Sequence, residues 1–283
     1  LAHYGRFAMG GAGLVVLEAT SIVPQGRLSY GDLGIWSDEH VAGLARIAAF
    51  IRSQGSTPGI QIAHAGRKAC TQRPWHGNGP LGQADIDERG EVQWALESVT
   101  AEPAGEGHVA PRELTADDIA SLMGEWAAAA RRAREAGFEV VEIHGAHGYL
   151  VHSFLSPLSN TRTDGYGGGL EGRMRFAVEA ARAVRTEWPG ELPLFFRVSA
   201  LDAARDGWSL DDSVVLARAL AAEGVDLIDC SSGGIGADYS IIPRGPGFQV
   251  SFAAHVRAKA GIPTAAVGLI TDAAQAEAVL AGG

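Results

Sequence analysis

Short apolar runs alternate with amphipathic segments of helical period about six times along the chain, and this alternation constrains the fold more than any other feature. The runs at 13–18, 59–64, 138–143, 193–198, 225–230 and 263–267 are rich in Val, Ile, Leu and Phe and show little polar alternation. That is the pattern of strands buried on both faces. Between them, the segments 38–54, 116–136, 173–187, 210–223, 251–260 and 271 to about 280 read as helices. Ser37, Thr115, Ser209 and Thr271 stand at their starts as N-caps, and Gly55 and Gly137 as stops. Strand, helix, strand in steady succession requires a parallel sheet with helical crossovers. An open doubly wound sheet and a closed (β/α)8 TIM barrel both satisfy that requirement. The barrel is favoured because polar residues follow nearly every strand (Glu18, Gln61 and His64, His144 and His147, Arg197, Ser231, Gly268) instead of gathering at one switch point.

The 283 residues are enough for one large α/β domain, read here as 1–283, with a long Gly-, Pro- and Trp-containing loop or lid at about 65–113. The net charge of −10, with no Lys/Arg run, argues against a nucleic-acid surface. No apolar stretch reaches the length of a membrane span. Two cysteines, Cys70 and Cys230, form neither a disulfide framework nor a metal-ligand spacing, so a reducing cytoplasm is the expected location. The chain opens at Leu1 in what reads as the middle of a domain and ends just after a helix, so it is expected to be a fragment of a longer protein.

The most informative cluster is Glu142-Ile143-His144-Gly145-Ala146-His147-Gly148-Tyr149, which begins inside one strand and runs past its end. Two imidazoles and a phenol there can hold a carbonyl oxygen, stabilise its developing charge and deliver a proton. The alternatives are a pair of structural histidines or a zinc site, for which no recognised third ligand is in place. Gln61, inside a strand, offers an amide suited to a flat heterocycle with donors and acceptors, or is simply a buried structural glutamine. Arg67 and Lys68 follow it. Arg197 lies in an otherwise apolar strand and needs an electron-rich partner, either a flavin edge or an ion pair with Glu142 or Asp229. The turns Ser231-Ser232-Gly233-Gly234 and Val267-Gly268-Leu269 expose backbone N–H groups of a kind that cradle phosphate. The segment 159–168 shapes the rim or is an ordered loop held by Asp–Arg contacts.

Taken together, the segments HYGRFAMGGAGLVVLEAT (3–20), DLGIWSDEH (32–40), GIQIAHAGRKA (59–69), PREL (111–114), 135–168, LIDCSSGG (227–234), GPGFQVSFA (245–253) and AVGLITD (266–272) resemble the old yellow enzyme family of flavin-dependent ene-reductases. The likeness is to its bacterial thermophilic-like subclass, which includes the xenobiotic reductases. The resemblance implies a (β/α)8 barrel binding FMN, re-reduced by NADPH or NADH, with a small α,β-unsaturated carbonyl compound as substrate. It implies His144 and His147 on the substrate oxygen and Tyr149 as proton donor or pocket wall. Ala19, Gln61 and Arg197 would lie at the isoalloxazine, and Ser231, Ser232, Gly233, Gly268 and Leu269 towards the ribityl-phosphate. Lys68 would sit near the flavin edge. No metal is implied, and a homodimer or homotetramer is. Against the family pattern the first and last barrel strands are missing, so the barrel is expected to be incomplete at both ends. Other readings are the flavin domain of a larger dienoyl-CoA reductase or acyl-CoA-modifying flavoenzyme, a metal-dependent barrel, and a non-enzymatic barrel.

Overall fold

The computed structural model describes residues 1–236, 242 and 244–282. In chain order the strands are β1 (Leu14–Ser21), β2 (Leu33–Gly34), β3 (Thr57–Ala63), β4 (Glu97–Ser98), β5 (Arg112–Glu113), β6 (Val140–Gly145), β7 (Leu194–Ser199), β8 (Leu227–Ser231) and β9 (Thr264–Ala266). The helices are α1 (Ala2–Met9), α2 (Glu39–Ser53), α3 (Gln83–Arg89), α4 (Ala116–Glu135), α5 (Leu150–Leu155), α6 (Leu170–Glu187), α7 (Leu210–Ala222), α8 (Val250–Ala260) and α9 (Ala273–Ala281).

Seven strands form one parallel sheet in the order β2-β1-β3-β6-β7-β8-β9. All six strands expected from the apolar runs are present. The seventh, β2, is only two residues long and pairs with Thr20 and Ser21. It carries too little apolar periodicity to be read from sequence. Helices cover the sheet, as the alternation of elements demands.

Register assigns the two faces of the sheet. Partners in a parallel ladder share a face, and successive residues alternate. Ile60, Ile62, Val141, Ile143, Phe196, Val198, Ile228 and Cys230 turn to the helices and join one buried core with Trp126, Ala129, Ala130 and Ala133 of α4 and Phe176, Ala177, Ala180 and Ala181 of α6. The alanines let helix and sheet approach closely, while each buried aromatic ring contributes about 2–3 kcal/mol. Phe154 of α5 stacks on Phe176 at 4.3 Å between centroids. The opposite face carries Gln61, Glu142, His144, Arg197, Ser199, Asp229 and Ser231, linked rung to rung. A strand buried on both sides thus separates its apolar and polar residues by parity alone.

Capping chemistry sets the helix ends. Thr115 and Ser209 accept from the backbone N–H groups of Asp118 and Asp212, whose carboxylates return the bond. The last helix is capped by Asp272 and not by Thr271: its carboxylate accepts from Gln275 N at 2.8 Å. Asp38 occupies the cap position of α2, although Ser37 Oγ still accepts from Glu39 N at 3.3 Å.

The stretch 65–113 has more structure than a lid read as irregular. It holds α3, the small parallel pair β4·β5 and a satellite apolar cluster of Ala65, Ala69, Cys70, Leu81 and Leu96, against which Tyr149 packs. The segment 159–168 follows the ordered-loop reading. Arg162 is buried, pairs with Asp164, and donates to the carbonyls of Val99 (3.0 Å) and Leu114 (2.7 Å). Among the described residues, no helix is long and apolar enough to cross a membrane.

Candidate active site

The polar face converges at the C-terminal ends of β6, β7 and β8. His144 is buried, and its Nδ1 accepts from Ala146 N at 3.2 Å. Burial, reinforced by the positive charges around it, holds its pKa well below the usual imidazole value. The ring is therefore neutral, with its single proton on Nε2. His147 stands at 5.1 Å and Tyr149 at 4.9 Å from the His144 ring, both edge-on. Burial and the Arg197 charge lower the His147 pKa to about 3, so this ring is also neutral. Burial pushes the Tyr149 hydroxyl up, which keeps it protonated and able to donate. Two neutral rings and a phenol, brought together from a single strand end and its turn, form a set of hydrogen-bond donors.

The turn carrying them is tightly built. His147 adopts φ +62°, a left-handed conformation that costs a non-glycine residue of order 1–3 kcal/mol unless its surroundings hold it. Ser199 Oγ accepts from His147 N at 2.9 Å and donates to Gly233 O at 2.6 Å. Ser231 Oγ lies 2.7 Å from His147 Nε2. Lys68 Nζ donates to His147 O (2.7 Å) and Gly234 O (2.6 Å), joining the turn after β6 to the turn after β8. Burial lowers the Lys68 pKa to about 8. Lys68 is thus a tie between two loops. Beneath the turn, Gly148 N donates to His152 Nδ1 at 2.8 Å, and His152 Nε2 faces Asp202 Oδ1 at 2.9 Å. Burial works against charge on Asp202, but His152, Ser156 and Trp208 N hold its carboxyl below the usual range.

Gln61 donates through Nε2 to Glu142 Oε1 at 2.7 Å. Glu142 is held well above the usual carboxylate range by burial and by the nearby Asp229. Arg197 realises one of the pairings open in the sequence: its Nε lies 3.0 Å from Asp229 Oδ2. The alignment is poor, and Nε remains buried without a hydrogen bond. A guanidinium left in that condition, beside an amide on the same face, fits the mixed donor and acceptor edge of a flavin. Ala19 lies at a register shift in β1 and lines a cavity of about 300 Å³ together with Ser21, Leu28, Ala63 and Tyr149.

The later turns are only partly as expected. Gly233 N is committed to Leu201 O at 2.9 Å, so it is not an open phosphate donor. The Ser231 hydroxyl faces His147. Ser232 Oγ donates to Gln249 Oε1, and Gln249 Nε2 donates to Val267 O at 2.9 Å, next to Gly268 and Leu269. Gln249, Ser199, His152 and Asp202 are the residues that sequence reading missed. A buried polar residue inside or just after an apolar run was the available signal for Ser199. The others declare themselves only through contacts between distant segments. Among the described residues, no group of three His, Cys, Asp or Glu side chains is arranged to hold a metal ion.

A model of the NADH:flavin oxidoreductase / NADH oxidase family matches residues 1–283. The chain is 45% identical over 281 residues to an NADPH dehydrogenase of Bacillus velezensis, aligning 99% of its own length with 75% of that protein. In structure it is similar to a 2-naphthoyl-CoA reductase in complex with 2-naphthoyl-CoA, with TM-score 0.85 and 26% identity; the match takes in 99% of this chain and 42% of that one. It is also similar to morphinone reductase in complex with tetrahydroNAD, with TM-score 0.77 and 25% identity over 99% of this chain and 73% of that one.

Proposed function

The chain belongs to the NADH:flavin oxidoreductase / NADH oxidase family, the old yellow enzyme group, and from that premise we propose that it is an FMN-dependent ene-reductase of α,β-unsaturated carbonyl compounds. The observation that carries the reading is the His144–His147–Tyr149 cluster: two neutral imidazoles and a protonated phenol at the end of one strand, above a face that holds Gln61 and Arg197. Bound FMN would supply the hydride for the β-carbon of the substrate and would itself be re-reduced by NADPH or NADH. Gln61 and Arg197 would hold the polar edge of the cofactor. Ala19 would line its ring, and Ser232, Gly268 and Leu269 would lie towards its ribityl-phosphate.

His144 and His147 would bind the carbonyl oxygen. Because both rings are neutral, they polarise the C=C–C=O system by hydrogen bonding and do not protonate the oxygen outright. Tyr149 would donate a proton to the α-carbon or wall the pocket. With His144 buried and His147 and Tyr149 half-buried, the donors need little reorganisation when substrate arrives.

A second reading, the flavin domain of a larger acyl-CoA enzyme, is favoured by the likeness to a 2-naphthoyl-CoA reductase, of which the chain spans 42%. It predicts turnover of an aryl- or enoyl-CoA in preference to the free enone.

The test is anaerobic spectroscopy. The FMN-loaded protein should bleach with NADPH and recover its visible bands with 2-cyclohexenone. The His144→Ala, His147→Ala double variant should slow recovery without slowing bleaching. A protein that cannot be loaded with FMN, or a double variant that recovers at the parental rate, would overturn the proposal.

A further inference from the structure

The two active-site histidines are wired differently. For His144 the tautomer follows from the backbone, since Ala146 N donates to Nδ1 and leaves the proton on Nε2. No backbone N–H reaches the His147 ring among the described residues. Among the described residues its only polar partner is Ser231 Oγ, at 2.7 Å from Nε2. A serine hydroxyl can donate to an imidazole nitrogen or accept from one, and the two cases put the ring proton on opposite nitrogens.

We infer that Ser231 is a positioning residue that donates its hydroxyl hydrogen to His147 Nε2, so that the ring proton sits on Nδ1 and His147 meets a ligand as a donor.

The surroundings of Ser231 decide the direction. Among the described residues, the one competing acceptor for its hydrogen is Gln249 Oε1, at 3.5 Å. Gln249 is oriented by the bond from its Nε2 to Val267 O, which turns Oε1 to the serines, and there it already receives the hydroxyl of Ser232. Ser231 therefore has a shared acceptor at the 3.5 Å limit of hydrogen bonding and an imidazole nitrogen at 2.7 Å. The short contact takes the hydrogen. Ser199 cannot take over this task, because it donates to Gly233 O while accepting from His147 N. The result is a pair of complementary tautomers, His144 with Nε2–H and His147 with Nδ1–H. Two donors are then available to one ligand oxygen, where the other tautomer of His147 would offer it a lone pair.

The catalytic consequence rests on the ene-reductase reading; the tautomer does not. The experiment is a long-range ¹H–¹⁵N correlation on the FMN-loaded chain labelled with ¹⁵N-histidine, with His147 assigned by its absence from His147→Asn. The parental protein should show His147 Nδ1 as the protonated, pyrrole-type nitrogen and Nε2 as the unprotonated one. Ser231→Ala should exchange or average the two, and Ser231→Thr, which keeps the hydroxyl, should restore them. Recovery with 2-cyclohexenone should slow by about 10- to 100-fold in Ser231→Ala and return towards the parental rate in Ser231→Thr. A parental His147 protonated on Nε2, or a Ser231→Ala spectrum identical to the parent, overturns the assignment. The parental spectrum tests the inference even if a variant fails to fold. If the tautomer is as assigned but no enone is reduced, the proposed activity fails and this inference stands.

Discussion

Replacing Gly234 by alanine would set a methyl group 2.3 Å from both Cα and the carbonyl carbon of His147, and 2.7 Å from its oxygen. Ordinary contact begins at 3.4 Å, and the neighbouring atoms are backbone, so no side chain can swing aside. The turns after β6 and β8 must part by about 1 Å. Gly234 also sits at φ +112°, where a Cβ is strained whatever the space. Overpacking costs about 1–3 kcal/mol and the backbone strain a similar amount, so the expected destabilisation is roughly 2–5 kcal/mol. For a chain of this size that is a fall in Tm of about 5–15 °C. Because the same displacement moves His147, turnover with 2-cyclohexenone should fall by about 100-fold. Gly236→Ala is the control: among the described residues its added Cβ would meet only Ala204 Cβ, at 3.9 Å. The assays are thermal unfolding and steady-state enone reduction on both variants. A Gly234→Ala protein that melts within about 2 °C of the parent and turns over at a similar rate would refute the close packing of the two turns.

Lys68→Met keeps the length of the side chain but leaves the carbonyls of His147 and Gly234 without their shared donor, and should cost about 2–4 kcal/mol in urea unfolding; an unchanged midpoint would remove the tie from the account. Stability should also depend on pH through the histidine pair. With His147 lowered from 6.5 to about 3, the unfolded chain binds a proton that the folded chain does not, so stability is lost as pH falls through that window. The slope for this one group is roughly 1.4 kcal/mol per pH unit. His147→Asn should flatten the profile between pH 6.5 and 5 by about that amount, and a variant with the parental slope would show that His147 titrates normally in the fold.

Much of this molecule was legible in its sequence because burial on both faces leaves strands as unbroken apolar runs. All six such runs became strands of the parallel sheet, and Thr115 and Ser209 cap the helices they were expected to cap. The clustering of His144, His147 and Tyr149 was legible for a related reason: all three lie at or just past the end of one buried strand, which brings their rings together. What the sequence could not determine is which hydrogen bonds these groups make. The pairing of Arg197 with Asp229, the bridge of Lys68 between two turns, and the contact of Ser231 with His147 join segments up to 166 positions apart. The short β2 escaped notice because two residues carry no period, and the Asp272 cap because Thr271 beside it is equally suited by type. Local composition and period determine which elements form and which face of each is apolar, since those depend on neighbours in the chain. Proton positions, loop ties and the neutrality of the histidines depend on burial and on partners from other strands, and only the tertiary structure decides them.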